Sequence, residues 1–298
     1  MSFRERVKSG QQLIVAELSA PMGATAGDVR AMAQHYAGNV HALGVSENRE
    51  RVSMSALAAA SLAVGQGVEP ILHVATRDRN RIGLISECLG ARTLGITTIL
   101  CTSGTHQTLG RFGSARNVSD VDPVQLLRTL SDLAADGALV GETGITDCGF
   151  CLGGVASPYA DPMELQIMRL EKKIEAGASF LVTQAAFDID RFRTWWDLIT
   201  ARGVPRKAAV LAGVRVLASA EEARALAATR PSPALPSGVV ERMAAAGSTS
   251  DQRAVGIRIA LETIAALSAL KGLRGFAVHG DGDHAAVLEV IKQAGVKV

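Results

Sequence analysis

The chain has 298 residues, a length that suits one large domain or two average ones, and its 48% apolar content excludes a chain disordered throughout. Thirty-one basic side chains against 29 acidic ones leave +2 without charge blocks, which argues against a protein built to coat nucleic acid or an anionic membrane. Four cysteines are too few for a disulfide scaffold. The N-terminal Met-Ser-Phe-Arg-Glu-Arg-Val-Lys mixes charges where a signal peptide needs an unbroken apolar run. The richest apolar stretch, Ala56 to Val64, is far shorter than the ~18–20 residues that span a bilayer. A soluble, cytoplasmic, globular protein is expected, with neither nucleic acid nor membrane as partner.

Eight short β-rich apolar runs follow in chain order: Leu13–Leu18, His41–Val45, Pro70–Ala75, Thr97–Thr102, Phe150–Ala156, Ser179–Gln184, Lys207–Val214 and Gly275–Gly280. Their starts lie 28, 29, 27, 53, 29, 28 and 68 residues apart. A unit of roughly 28 to 30 residues holds one strand, one crossover helix and two short loops. The two long intervals leave room for an extra helix or an inserted loop. Between the runs, Asp122-Pro123 reads as a helix start, with Val124, Leu127, Leu130 and Leu133 at helical spacing and Gly137 as its end. Asp161-Pro162-Met163-Glu164 reads as a capping box ahead of Met163, Ile167, Leu170 and Ile174, closed by Gly177. Ala285–Gln293 follows the last run. Arg230-Pro-Ser-Pro-Ala-Leu-Pro236 is the one loop hinge. The pattern predicts an α/β fold, a (β/α)₈ TIM barrel forming a single domain over 1–298, with a doubly wound open sheet as the alternative.

In a barrel, chemistry belongs at the C-terminal ends of the strands. Glu17 falls near the end of the first, Ser46 and Glu47 after the second, His73 within the third. Ser103-Gly104-Thr105-His106-Gln107 follows the fourth, Gln184 ends the sixth, Arg215 follows the seventh and His279 closes the eighth. Period-2 alternation puts Glu17 on the face of Leu13 and Val15. An inward carboxylate is costly when charged, which suits a general acid; the competing reading is a rim carboxylate paired with an arginine. Arg77-Asp78-Arg79-Asn80-Arg81 stands where a helix should begin and reads either as an anion site or as a salt-bridge net using Asp78 and Glu87.

Other motifs are weaker. Cys148-Gly-Phe-Cys151 has no second pair to close a zinc site and reads as two ordinary buried cysteines, and no metal is expected. Gly280-Asp-Gly-Asp-His-Ala285 has a dinucleotide-like spacing, but Asp281 and Asp283 would repel phosphate, so a tight turn is the better reading. Trp195 and Trp196 read as helix-packing residues, one buried and one partly covered.

With these residues in place, the chain resembles the methylenetetrahydrofolate reductase family over nearly its whole length, and its short forms of anaerobic one-carbon metabolism in particular. The matching stretches are Val15-Ala-Glu17, Arg77-Asp-Arg-Asn-Arg81, Cys101-Thr-Ser-Gly-Thr-His-Gln107, Lys173-Ile-Glu-Ala-Gly-Ala178 and, most specific, Val182-Thr-Gln-Ala-Ala-Phe-Asp188. The resemblance implies a barrel holding flavin, as FAD or FMN. It would pass a hydride from NAD(P)H, or electrons from a zinc or iron–sulfur partner protein, between 5,10-methylenetetrahydrofolate and 5-methyltetrahydrofolate. It implies Glu17 as the acid and Gln184 as a pterin ligand. Ser46, His73, Ser103, Gly104, Thr105 and Lys173 fall at the family's positions around the flavin. A homo-oligomer is expected from family habit. Two departures stand out: Thr105 replaces an aspartate near flavin and pterin, and Arg215-Val216 replaces Leu-Pro, setting a cation near the folate site. Losing the aspartate's charge should favour an anionic reduced flavin. Two other readings stand beside this one: an electron-relay subunit that holds flavin, motivated by the missing aspartate, and a folate-binding methyltransferase-type barrel without flavin.

Overall fold

A computed structural model describes the chain except residues 47–51, 111–112, 137, 140–141, 144–148, 230–234 and 281, and the side chains of 136, 138–139 and 142–143. Each predicted run is a strand, shifted by no more than a residue or two: β1 Leu13–Ser19, β2 Ala42–Ser46, β3 Pro70–Ala75, β4 Thr98–Thr102, β5 Cys151–Ala156, β6 Phe180–Ala185, β7 Ala209–Val216 and β8 Gly275–Gly280. All pair in parallel in chain order, and β1 pairs with both β2 and β8. That closure settles the choice between a barrel and an open sheet.

Along every strand, outward residues join a shell under the helices and inward ones fill the bore. In β1, Ile14, Ala16 and Leu18 belong to the shell, while Leu13 and Val15 join Ala42, Ile71, Leu100, Phe180 and Leu211 inside. The helices on the shell are α2 Ala26–Tyr36, α3 Ala56–Ala63, α4 Arg81–Thr93, α5 Pro123–Asp136, α6 Met163–Glu175, α7 Ile189–Ala201, α11 Thr249–Ser268 and α12 His284–Gln293, while α9 Ala220–Ala228 and α10 Ser237–Ala245 pack a separate cluster with Leu217 and Ile259. A further single turn, α8 Val204–Lys207, leads into β7. The long interval before β5 is taken up by a 3₁₀ turn at Gln107–Leu109, α5 and a two-residue ribbon, and the one before β8 by α9, α10 and α11. The hinge falls between α9 and α10, with its residues 230–234 outside the described part.

Helix α5 begins as predicted. Asp122 Oδ1 accepts from Gln125 N and Gln125 Oε1 accepts from Asp122 N, both at 2.8 Å. Gly137 lies outside the described residues. Helix α6 corrects the second expectation: it starts at Met163 with no side-chain cap, and Asp161 instead accepts from Arg191 at 2.8 Å. The carboxylate has a cation within reach on α7, and a charge-assisted bond outcompetes an amide. Trp195 and Trp196 are both buried, against Phe192, so neither is left partly covered.

The N-terminal end of the bore is sealed. Helix α1, Phe3–Ser9, carries a Ser2–Glu5 capping box and drives Phe3 into the barrel, edge-to-face on Phe180 with ring centroids 5.3 Å apart. The Phe180 ring fills the room left by Gly153, where a Cβ would stand 2.3 Å from it. Arg274 ties the plug down through the carbonyls of Arg6, Val7 and Gln11.

Candidate active site

The opposite end of the bore is open. Strand parity turns Glu17, Ser46, His73, Thr102, Arg215 and His279 inward there, because their flanking neighbours Ala16, Val45, Val74, Cys101, Val214 and Val278 all pack in the outer shell. Below them Val155, Val182 and Ala277 face the bore yet are only partly buried, so the mouth reaches down to mid-barrel.

The structure brings Glu17, Ser46, His73, Gln184 and Arg215 to one rim. Glu17 is half-buried beside Gly44, its register partner on β2. The His73 imidazole lies over that glycine: a Cβ on Gly44 would meet His73 Nε2 at 2.8 Å. Ser46 is buried, and its hydroxyl has no hydrogen-bond partner among the described residues. Glu47 lies outside the described residues.

Gln184 reaches the mouth through a bulge. The β6–β7 register slips between Val182 and Ala185. Inside the slip the Thr183 hydroxyl accepts from Gly213 N at 2.9 Å and donates to Gln184 O at 2.7 Å. Gly213 must lack a side chain, since a Cβ would sit 2.5 Å from Thr183 O. The bulge re-aims the strand end and leaves the Gln184 amide exposed. The threonine of the Thr-Gln pair is therefore the structural half of the motif.

Arg215 is not a lone cation. Its guanidinium bonds Glu222 at 2.7 Å, both side chains mostly covered, and Glu222 also accepts from Ala218 N. Sequence spacing does not single out Glu222, which sits in the first turn of the helix after β7, seven residues on from Arg215. Each of Glu17, His73, Arg215 and His279 has an interaction partner.

Ser103, Gly104 and Thr105 form the loop beyond β4, with Gly104 in the left-handed region at φ 76°. The buried Arg77 guanidinium fastens this loop from beneath: it donates to the Thr105 carbonyl and grips Asp78 through both carboxylate oxygens. Arg79 pairs with Glu87, and Arg81 with Asp120, Nε to Oδ2 at 3.0 Å. The three arginines thus form the salt-bridge net, with Asp120 the member that the sequence did not reveal.

Lys173 climbs the outer face of the strand wall towards the rim. Its stem packs over Gly154 and its ammonium donates to the Val155 carbonyl at 2.5 Å at the end of β5. Burial, with Arg169 nearby, holds its pKa below the ordinary lysine range. Cys151 is inside the lower bore, where burial pushes its thiol up to about 11; Cys148 lies outside the described residues. The turn after β8 is tight, with Gly282 N on Gly280 O at 3.0 Å and Asp283 capping α12. Among the described residues no helix is long and apolar enough to cross a membrane.

A closed parallel (β/α)₈ barrel with one sealed end and one polar, open end is an enzyme scaffold in its architecture. The family is settled by comparison: the model for "Methylenetetrahydrofolate reductase" matches residues 2–295, and the chain belongs to that family. A 59-residue stretch is 36% identical to methylenetetrahydrofolate reductase 1 of Schizosaccharomyces pombe, a match over 18% of this chain that spans about a tenth of that protein's length (10%). An uncharacterized protein from Clostridium thermocellum, which binds two copies of 5-methyl-5,6,7,8-tetrahydrofolic acid, has the same fold. Its TM-score is 0.65 at 11% identity, over 97% of this chain and 98% of that one.

Proposed function

We propose that this chain, as one barrel, is a flavin-dependent oxidoreductase that interconverts 5,10-methylenetetrahydrofolate and 5-methyltetrahydrofolate. The observation that carries the reading is the open mouth of a barrel of this family, where Glu17 faces inward on the same rim as an exposed Gln184. Glu17 is the acid: its proton goes to a pterin nitrogen as the methylene bridge opens, a transfer for which the carboxyl faces inward at the mouth. Gln184 presents both a donor and an acceptor to the mixed edge of a pterin without adding charge. The folate-binding relative of the same fold supports the substrate class.

The residues present fit a flavin in kind. The Ser46 hydroxyl, which has no partner among the described residues, the His73 ring, the exposed hydroxyls of Ser103 and Thr105 about Gly104, and the Lys173 ammonium offer donors to a polar, phosphate-bearing group. When bound, the flavin, as FAD or FMN, supplies the hydride chemistry. Electrons come from NAD(P)H or from a zinc or iron–sulfur partner protein. Arg77 holds the Thr105 loop in place, and Arg215, neutralised by Glu222, orders the rim and leaves less net positive charge for a folate tail than a bare arginine would. The sealed floor excludes water from below.

The test is the visible spectrum of gently purified protein before and after adding 5-methyltetrahydrofolate without oxygen. A bound flavin that bleaches supports the reading. A flavin that stays oxidised, with Thr105→Asp restoring bleaching, favours the electron-relay subunit. Protein that stays colourless after reconstitution with FMN and FAD, yet binds tetrahydrofolate, points to the methyltransferase-type barrel and overturns the reading.

A further inference from the structure

His279 enters none of the roles above, yet the barrel sets it beside the acid. Ala277 faces the bore while Phe276 and Val278 pack in the outer shell, so His279 turns inward and, like Ala277, is only partly buried. Val278 is the register partner of Ala16, and the next step along the two parallel strands sets His279 next to Glu17. Neighbouring strands run about 4.8 Å apart, so two inward side chains at adjacent positions are within hydrogen-bonding reach of each other. On its other side His279 pairs in register with Arg215, whose guanidinium is held by Glu222. Across the bore lies His73, tilted over Gly44. Among the described residues, the titratable or charged groups facing the pair are therefore His73 from β3 and Arg215 from β7. Strand β2 contributes Gly44 and Ser46, and β6 contributes the neutral Gln184.

We infer that His279 is a positioning residue for Glu17 that also returns its proton, an inference resting on the reading of Glu17 as the acid. Once Glu17 has given its proton to the substrate, the His279 imidazolium reprotonates the carboxylate. The imidazole then recovers a proton from water at the open mouth. One proton enters from solvent for each one delivered, and no electron moves in this relay. An imidazole suits the task because its ordinary pKa lies near neutrality and its two ring nitrogens can face carboxyl and solvent at once. Arg215, fixed by Glu222, limits the side to which the ring can turn.

The decisive measurement needs neither flavin nor turnover. The protein is labelled with ¹³C at glutamate side-chain carboxyls, Glu17 is assigned from Glu17→Gln, and its resonance is followed with pH. The expected curve has two steps, the upper one in the histidine range, and this step is lost in His279→Gln but kept in His73→Gln. A Glu17 curve in His279→Gln that superimposes on the parent's overturns the inference. Should that variant fail to fold, the His279 ring is titrated in the unaltered protein instead: a step at the pH where Glu17 ionises supports the pairing, and a single undisturbed step overturns it. In turnover, His279→Gln should be slower by about tenfold, with the acid limb of its pH profile displaced. Coupled titration without bleaching by 5-methyltetrahydrofolate would sink the proposed reaction and leave the pair standing. Bleaching with uncoupled titration would do the reverse.

Discussion

The two ends of this barrel solve the same packing problem with opposite chemistry. At the floor, Gly153 gives up its side chain so that the Phe180 ring can lie across it, with Phe3 of the plug closing from below. At the mouth, Gly44 gives up its side chain so that the His73 ring can lie across it, beside Glu17. One glycine–ring couple is apolar and buried, and its value is burial. The other is titratable and half-open, and its value is where it places a nitrogen. Damage at the floor should therefore be read in stability, and damage at the mouth in activity.

The largest effect on stability belongs to Phe180→Ala, which removes a fully buried ring and leaves a cavity between Phe3 and Gly153. It should cost about 3–5 kcal/mol in a urea titration. Gln184→Ala, at an exposed position of the mouth, should cost less than about 0.5 kcal/mol. Equal losses at the two sites would break the comparison. Glu17→Gln should slow the bleaching reaction by about 100-fold or more, because the acid is lost while shape is kept. Its melting temperature should stay near the parent's, and unchanged turnover would remove Glu17 from the mechanism.

The two glycines sharpen the contrast when given the same substitution. Gly153→Ala places a Cβ 2.3 Å from a ring that has nowhere to go, so the loss falls on stability. Gly44→Ala places a Cβ 2.8 Å from the imidazole at the far end of the partly buried His73 side chain, which can turn aside where the enclosed Phe180 ring cannot. Stability should then change little while turnover drops by about tenfold, through misplacement beside Glu17. Calorimetry and stopped-flow bleaching on the same preparations check both halves.

Much of this was legible in the sequence, and the reason is periodicity. The spacing of apolar runs gives eight strands, and alternation puts Glu17 with Leu13 and Val15 on the inner face, as the structure has it. Register, however, is a property of pairs of strands, and no single strand carries it. That is why the adjacency of Glu17 and His279, the partnership of Arg215 with Glu222 and the bulge at Thr183 could not be read. Asp161 shows the same limit at a helix start. A carboxylate before a helix can cap it or take a distant cation, and only the fold brings Arg191 within reach. Lys173 came from the resemblance alone, since nothing in helical spacing distinguishes a lysine that climbs the strand wall from one that points to solvent.

Lys173 also yields the smallest prediction and the one that joins stability to function. Its ammonium is desolvated against the strand wall, with a backbone carbonyl as its hydrogen-bond acceptor, and burial holds its pKa below the ordinary lysine range. A basic group whose pKa is lower in the folded chain than in the unfolded one penalises folding while it is charged. The penalty is full below the folded value and fades as pH rises towards the ordinary lysine range, because there the unfolded chain holds a proton that the folded chain has released. Lys173→Met keeps the stem over Gly154 and removes the charge. The variant should therefore be more stable than the parent by about 1 kcal/mol near neutral pH, and the gap should narrow in alkaline buffer. If the ammonium serves an anionic part of the flavin, the same variant should bind flavin less tightly, a gain in stability matched by a loss in function. Urea titrations at neutral and alkaline pH, run beside a flavin titration, separate the two effects. A variant less stable than the parent at neutral pH would mean that the Val155 carbonyl more than offsets the cost of burying the charge.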